Sequence, residues 1–182
     1  GVYEAGGFPV EFPVTSLGEP IMRPTTMLFR NLASMDVEES LRANPLDGVV
    51  LLTGCDKTTP ASLMAAATVN LPAIVLSGGP MLDGNYKGKK VGSGTIVWEA
   101  RRMHARGEIN YEEFLDLVDA SAPSIGHCNT MGTASSMNSI AEALGMSLTG
   151  GAIIPAPYKE REKISFETGK RIVDMVHEDL TP

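Results

Sequence analysis

Hydrophobic and polar positions define two short apolar runs separated by a helix. Residues 48–53 and 72–76 are apolar and rich in β-branched side chains, which predicts two buried strands. A helix opening at Pro60 lies between them, and strand, helix and strand predict a βαβ unit, which is parallel and right-handed by strong preference. The pattern therefore predicts an α/β fold with a mainly parallel sheet.

The rest of the chain is mainly helical by period, with one long Gly-rich loop at residues 77–95. Capping-box spacing opens two of the helices, at Asp36 and at Asn110. In the helix at 131–144, residues Met137, Ile140, Ala141 and Leu144 are predicted to face the core. Helices are expected at 24–32, 36–43, 95–106, 110–118, 131–144 and 158–178, and a short strand at 152–154.

Composition adds limits on what the protein does. The length of 182 residues suits one domain, 1–182. The net charge of −7 gives no indication of binding to nucleic acid or to an anionic membrane surface. No apolar run approaches the roughly 20 residues of a membrane helix, and the start does not have the pattern of a signal peptide. The two cysteines form no disulfide framework, so a reducing cytoplasm is expected.

Cys55, Asp56 and Lys57 place a soft thiolate ligand, a hard carboxylate and an amine in consecutive positions. They follow the first predicted strand, and ligands of such sheets bind beyond the carboxyl ends of strands. The dipole of the next helix favours a thiolate, and a buried or metal-adjacent lysine becomes reactive. The alternative is a small buried cysteine beside a surface Asp–Lys pair, and spacing alone favours that alternative.

Cys128 lies in a second polar loop, residues 126–130, ahead of another predicted helix. Two cysteines in such loops suit a soft metal or an iron–sulfur cluster, although they form no CxxC pair and cannot complete a four-ligand site. His127 is a ligand, a donor to a ligand or a structural residue, and the structural role is commoner. His104 and His177 are expected to be solvated.

Two further features are compatible with ligand binding. Glu19 is a carboxylate in a Gly/Pro-rich region, where a solvated acid is the simplest interpretation. Residues 77–80 and 92–95 offer backbone N–H groups to an anion. Neither segment matches a P-loop or a dinucleotide fingerprint, so no nucleotide site is predicted.

Five motifs that cover essentially the whole chain resemble one family when taken in order. They are Ala5-Gly6-Gly7-Phe8-Pro9-Val10-Glu11-Phe12-Pro13, Ser16-Leu17-Gly18-Glu19, Gly54-Cys55-Asp56-Lys57-Thr58-Thr59-Pro60-Ala61, Ser77-Gly78-Gly79-Pro80-Met81, and Gly126-His127-Cys128-Asn129-Thr130-Met131-Gly132-Thr133-Ala134-Ser135. Together they resemble the dihydroxy-acid dehydratase / phosphogluconate dehydratase family. Any one motif is modest support, whereas five in the family's order are highly specific.

The resemblance implies a fold, a reaction and a ligand set. The fold is a three-layer α/β/α domain, and the reaction dehydrates a 2,3-dihydroxy carboxylic acid to a 2-keto acid with an iron–sulfur cluster, [2Fe–2S] or [4Fe–4S], and Mg²⁺. Cys55 and Cys128 match two of three cluster cysteines, and Glu19 and Asp56 match ligands of the divalent cation. Lys57 matches a catalytic lysine that is carbamylated in some members, which makes it an anionic oxygen ligand.

The motifs at residues 58–61, 77–82 and 92–98 look more like the sugar-acid branch, whose substrates are pentonates such as arabinonate or xylonate. The branched-chain amino-acid enzyme is the alternative within the family. Family members are about three times this length, so we expect the third cluster cysteine upstream and a catalytic serine and a further metal-binding acid downstream. Full-length members are dimers or tetramers, and the 182-residue chain alone is expected to be inactive.

Two interpretations outside the family stay open at this point. One is a non-catalytic α/β binding domain in which Cys55 and Cys128 are merely buried. The other is an acyl or phosphoryl transferase with Cys55 as nucleophile, which requires a histidine base within hydrogen-bond reach of that cysteine.

Overall fold

A computed structural model describes residues 1–16, 18–19 and 22–182. In the motif at 16–19, Leu17 lies outside the described residues. A 3-10 turn at Thr26–Phe29 leads into the first helix. The elements follow in the order α1 (Arg30–Ala43), β1 (Val49–Thr53), α2 (Thr58–Val69), β2 (Ala73–Ser77), β3 (Gly84–Tyr86), β4 (Lys89–Val91), α3 (Ile96–Ala105), α4 (Tyr111–Ala120), α5 (Ala134–Ala143) and α6 (Lys159–Glu178).

The predicted βαβ unit is the centre of the fold. β1 and β2 pair in parallel, with Val49 opposite Ala73 and Thr53 opposite Ser77. Pro60 lies in the first turn of α2, where its missing N–H has no intrahelical acceptor to lose. The helix ends at Asn70, whose left-handed φ of 58° turns the chain toward β2. Both strands thus end at the same edge, ahead of the segments that carry the candidate chemistry.

Helices cover both faces of this parallel pair. Val49, Leu51 and Val75 pack in one apolar cluster with residues of α1, α2 and α5. Ile74 points the other way and packs against Ile172 and Met175 of α6. The alternation of side chains along each strand therefore builds a helix–sheet–helix arrangement, and the α/β fold class is confirmed. No helix in the part of the chain that the structure describes is both long and apolar enough to cross a membrane.

Three local predictions need correction. Residues 26–43 form the 3-10 turn and one continuous helix, rather than the two helices predicted at 24–32 and 36–43, because the helical backbone continues through Asp36. The Asp36 carboxylate accepts a hydrogen bond from Thr15 Oγ1 at 3.3 Å instead of capping. Residues 152–154 lie in turns rather than in a strand. The loop at 77–95 contains the β3–β4 hairpin, whose turn residues Lys87 and Gly88 both have positive φ, as two-residue hairpin turns require.

The inward face of α5 also differs from the predicted one. Ala141 is buried as predicted, but Ile140 is 45% exposed and Leu144 is 67% exposed. The buried face instead carries Ala134, Asn138 and Ala141. These small and polar side chains, rather than the larger apolar ones, allow α5 to pack closely against the site end of the fold.

Candidate active site

The segment that carries Cys55, Asp56 and Lys57 joins the end of β1 to the start of α2. Its backbone is held by the first turn of the helix, since Thr59 N donates to Cys55 O at 3.1 Å and Ala61 N donates to Lys57 O at 3.1 Å. The segment lies beyond the carboxyl end of the parallel pair, where the sequence predicts it.

Two carboxylates converge on the ammonium group of Lys57. Lys57 Nζ lies 2.7 Å from Asp56 Oδ2 and 3.2 Å from Glu19 Oε2. The side chains of Lys57 and Asp56 are only 17% and 15% exposed, while that of Glu19 is 42% exposed. The three residues predicted as cation ligands therefore meet at one point, although Glu19 is far from the other two in sequence.

The electrostatics of this cluster favour the charged form of all three groups. Hydrogen bonds, of which that from the Thr26 hydroxyl has the largest effect, lower the pKa of Glu19 to about 2. Burial acts to raise the pKa of Asp56, but hydrogen bonds from Lys57 and Thr133 outweigh it and lower that pKa. Burial acts to lower the pKa of Lys57, but both carboxylates outweigh it and raise that pKa.

This donor set fits a hard divalent cation in part. The Lys57 ammonium occupies the position between two carboxylates that a metal cation would take. Magnesium prefers oxygen ligands, and carbamylation would make Lys57 an oxygen ligand as well. Among the described residues, no group of three or more His, Cys, Asp or Glu side chains is arranged to hold a metal. A complete site for such a cation would need Lys57 and ligands from elsewhere in addition.

Cys55 is half-buried, and its Sγ donates a hydrogen bond to Asp56 Oδ1 at 3.3 Å. Burial, followed by the contact with the Asp56 carboxylate, raises the pKa of the Cys55 thiol. Desolvation and the adjacent negative charge therefore outweigh the stabilisation of a thiolate that is expected from the helix dipole. A soft metal would supply the positive charge that a thiolate needs here.

The loop that carries Cys128 is held by side chains and by backbone bonds of His127. Asn129 Nδ2 donates to Leu82 O at 2.8 Å, and Asn129 Oδ1 accepts from Ser93 N at 2.9 Å. Ser93 Oγ lies 3.1 Å from Cys128 Sγ and is oriented to donate to it. His127 N donates to Gly79 O at 2.9 Å, which extends the line of β2 toward this loop.

The two cysteine loops are neighbours. A Cβ built on Gly54 would lie 3.9 Å from the Cβ of His127, so the residues that directly precede Cys55 and Cys128 are in contact range. Thr133, beyond Cys128, donates from Oγ1 to Asp56 Oδ2 at 2.7 Å. Cys55 and Cys128 thus belong to adjoining segments at one edge of the fold.

His127 bonds within the protein on both ring nitrogens. Asn138 Nδ2 lies 3.1 Å from Nε2 and Cys128 O lies 3.1 Å from Nδ1, which assigns the neutral Nδ1–H tautomer. Burial lowers the pKa of His127, in agreement with the neutral form.

In the described part of the chain, the hydrogen-bond partner of the Cys55 thiol is Asp56 and no histidine. The transferase interpretation therefore lacks the base that it requires. His104 and His177 are exposed, as predicted.

The backbone N–H groups proposed for an anion are already in use. Gly78 N donates to Thr53 O at 2.8 Å, and Gly79 N donates to Ser77 Oγ at 3.2 Å. In the second segment, Ser93 N and Gly94 N donate to side chains of the Cys128 loop. These segments build the site rather than present a free cradle for an anion.

Sequence reasoning missed the residues that support this edge. Arg161, only 8% exposed, donates to Ser77 O at 2.8 Å, to Gly151 O at 2.9 Å and to Ile154 O. Asn138 was missed because the larger apolar side chains of its helix were predicted to face the core. The available signal was that this polar residue shares one helix face with two alanines, at positions i, i+4 and i+7.

The family assignment follows from a match along the whole chain. A sequence model for the N-terminal domain of dihydroxy-acid/6-phosphogluconate dehydratases matches residues 1–182. The chain belongs to this family. The predicted resemblance is confirmed, and all five motifs lie within the matched range.

Within the dihydroxy-acid/6-phosphogluconate dehydratase family, similarity is higher to sugar-acid enzymes. The chain is 60% identical over 182 residues to the D-xylonate dehydratase of Caulobacter vibrioides, covering 100% of the chain and 31% of that protein. It is 54% identical to the L-arabinonate dehydratase of Rhizobium leguminosarum bv. trifolii, with the same coverages of 100% and 31%. Identity to the dihydroxy-acid dehydratase of Lachnospira eligens is 41%, covering 100% and 33%. The chain spans about a third of the length of these relatives.

Proposed function

We propose that this chain is the ligand-bearing N-terminal part of a hydro-lyase that dehydrates a sugar acid, such as a pentonate, to a 2-keto-3-deoxy acid. The observation that carries the proposal is the meeting of Glu19, Asp56 and Lys57 beside the adjoining Cys55 and Cys128 loops. The reaction has to hold a carboxylate and release a hydroxyl. A hard-cation site suits the first task, and soft-metal ligands beside it suit the second.

The donor types divide the site by hardness. Cys55 and Cys128 would hold an iron–sulfur cluster, [2Fe–2S] or [4Fe–4S], together with a further cysteine from elsewhere. Glu19, Asp56 and carbamylated Lys57 would hold Mg²⁺. When bound, the cation supplies charge to the substrate carboxylate and 2-hydroxyl, and the cluster supplies a Lewis acid for the departing 3-hydroxyl.

This chain's own residues bind and orient in the proposed reaction. Carbamylation of the Lys57 ammonium joins its Nζ to the carbon of CO₂ and releases two protons, one to free the amine and one as the carbamate forms, so the cation between the two carboxylates is exchanged for an anionic ligand. Asp56 then stays ionised through its hydrogen bond from Thr133, and Glu19 through that from Thr26. The family resemblance assigns the general base to a serine of a C-terminal domain.

The branched-chain dihydroxy-acid reaction is the second candidate. Relatives named for it are 38–41% identical to the chain, against 54–60% for the xylonate and arabinonate relatives. A non-catalytic α/β domain is the third candidate, and the partly buried approach of Lys57 to two carboxylates argues for a working site instead. We keep a reducing cytoplasm, a homo-oligomer and no nucleic-acid or membrane partner as parts of the proposal.

The test is a purification without oxygen of the protein at the full length of its relatives. Iron, sulfide and keto-acid formation are measured with D-xylonate, L-arabinonate and a branched 2,3-dihydroxy acid. We expect Cys55→Ser and Cys128→Ser each to lower bound iron and turnover, with a pentonate as the best substrate and no turnover by the 182-residue chain alone. Ser121→Ala, a buried residue outside the ligand set, is the control. Full iron binding in both cysteine variants would overturn the cluster assignment, and a preference for the branched acid would overturn the branch.

A further inference from the structure

Two buried side chains, Thr59 and Asn138, and the half-buried His127 connect the backs of the two cysteine loops. Thr59 Oγ1 lies 3.0 Å from Cys55 O and 3.1 Å from Asn138 Oδ1. On the other side, Asn138 Nδ2 meets His127 Nε2 at 3.1 Å, and His127 Nδ1 meets Cys128 O at 3.1 Å. The single hydroxyl hydrogen of Thr59 is shared between Cys55 O and Asn138 Oδ1, and the connection ends at the carbonyl of Cys128.

Asn138 is the central member of this connection. It is 1% exposed and Thr59 is 0% exposed, so water does not compete for these bonds. Its amide is used in both senses, since Oδ1 accepts from Thr59 and Nδ2 donates to His127. An alanine or leucine at this position would pack against α2 but would remove both the bond from Thr59 and the bond to His127 Nε2.

We infer that Asn138 is a positioning residue that keeps the Cys55 and Cys128 loops in mutual register for one shared cluster. The inference rests on the proposed function, because it takes Cys55 and Cys128 to be ligands of the same cluster. Asn138 acts through Thr59 and His127. In the contacts described, it touches neither cysteine sulfur. Outer residues that orient metal ligands commonly change metal affinity 10- to 100-fold when they are lost.

The first measurement is the rate at which the reconstituted full-length protein loses iron to a chelator. We expect Asn138→Leu and Thr59→Val each to lose iron at least about 10-fold faster than the wild type. Thr59→Ser keeps the hydroxyl and is expected to restore slow release. The double variant should lose iron hardly faster than either single variant, since both break one connection.

The control is Thr168→Val in α6. Thr168 is 1% exposed and donates only to Ile164 O of its own helix, at 2.7 Å, so this variant removes a buried hydroxyl bond away from both loops. We expect slow iron release to persist in it. Equal acceleration in Thr168→Val and Asn138→Leu would overturn the inference, because general destabilisation would then explain both.

The second measurement is independent of the cluster. Amide hydrogen exchange on the metal-free protein should rise in Asn138→Leu at both residues 54–59 and residues 126–131. A rise confined to α5 would overturn the inference. If the wild type bound no iron, the proposed function would fail, whereas the exchange result would still decide whether Asn138 couples the two loops.

Discussion

The Cys55 loop and the Cys128 loop reach the same edge of the fold by different means. The Cys55 loop is a short link between β1 and α2, and helical backbone bonds fix it. The Cys128 loop lies between α4 and α5 and is held by backbone bonds of His127 to Gly79 and Met81 and by the side chains of Asn129, His127 and Ser93. The position of Cys55 is therefore a property of the βαβ unit, while that of Cys128 depends in part on side-chain hydrogen bonds that single substitutions can remove.

The largest expected effect comes from Lys57→Met on the Cys55 side. This change leaves Asp56 and Glu19 facing each other without a cation, and we expect a lower free energy of unfolding together with a larger effect on turnover. Added Mg²⁺ should restore part of the lost stability, whereas turnover of the full-length protein should fall at least about 100-fold. Urea unfolding with and without Mg²⁺ measures the first effect.

Lys87→Met is the matched control, since Lys87 is 70% exposed and lies 3.9 Å from Glu113 Oε1. It should change neither turnover nor the response to Mg²⁺. Wild-type turnover in Lys57→Met would remove Lys57 from the catalytic site.

Arg161→Leu tests the edge that both loops share. Arg161 binds the carbonyls of Ser77, Gly151 and Ile154, and the Ser77–Gly79 backbone in turn bonds to β1 and to His127. Because buried carbonyls would lose their donors, we expect a loss of about 3 kcal/mol in the free energy of unfolding. Thermal or urea unfolding measures it. A loss below about 0.5 kcal/mol would mean that water replaces the guanidinium.

The difference between the loops also explains what the sequence could predict. Apolar runs and Pro60 were enough for β1, α2 and the location of Cys55, because those signals are local. The Cys128 loop depends on contacts such as Asn129 with Leu82 and Asn138 with Thr59, which join residues far apart and leave no periodic signal. The role of Arg161 was not predicted for the same reason. The β3–β4 hairpin was not predicted because its strands are too short to show alternation. The ligand roles of Glu19, Cys55, Asp56, Lys57 and Cys128 stay predictions.

Asn129→Ala should affect the Cys128 loop alone. It removes the bonds to Leu82 O, Ser121 O and Ser93 N, and since these backbone groups are partly buried we expect a loss of about 2 kcal/mol. Hydrogen exchange should rise at residues 121–131 and stay unchanged at residues 54–59. The matched change on the other side is Thr58→Ala, which removes an exposed bond to Ser16 and should cost less than about 0.5 kcal/mol. Equal losses in both would contradict the proposed difference between the loops.

The smallest effect is expected outside both loops, at the end of α6. Arg171 donates to both carboxylate oxygens of Glu178, at 2.8 and 2.9 Å, and this contact lowers the pKa of Glu178 below its ordinary 4.5. A carboxylate with a lowered pKa in the folded state adds stability that is present above pH 4.5 and is lost as the pH falls through the folded-state value. Glu178→Gln should therefore be slightly less stable than the wild type at pH 7, and the difference should vanish in acid. Unfolding measured from pH 7 to pH 2 tests this, with Glu162→Gln, an acid at the start of the same helix, as the control. Iron retention at both cysteine loops should be unchanged, since the pair lies in neither loop, and a change in iron release would show that α6 transmits strain to the site through Arg161.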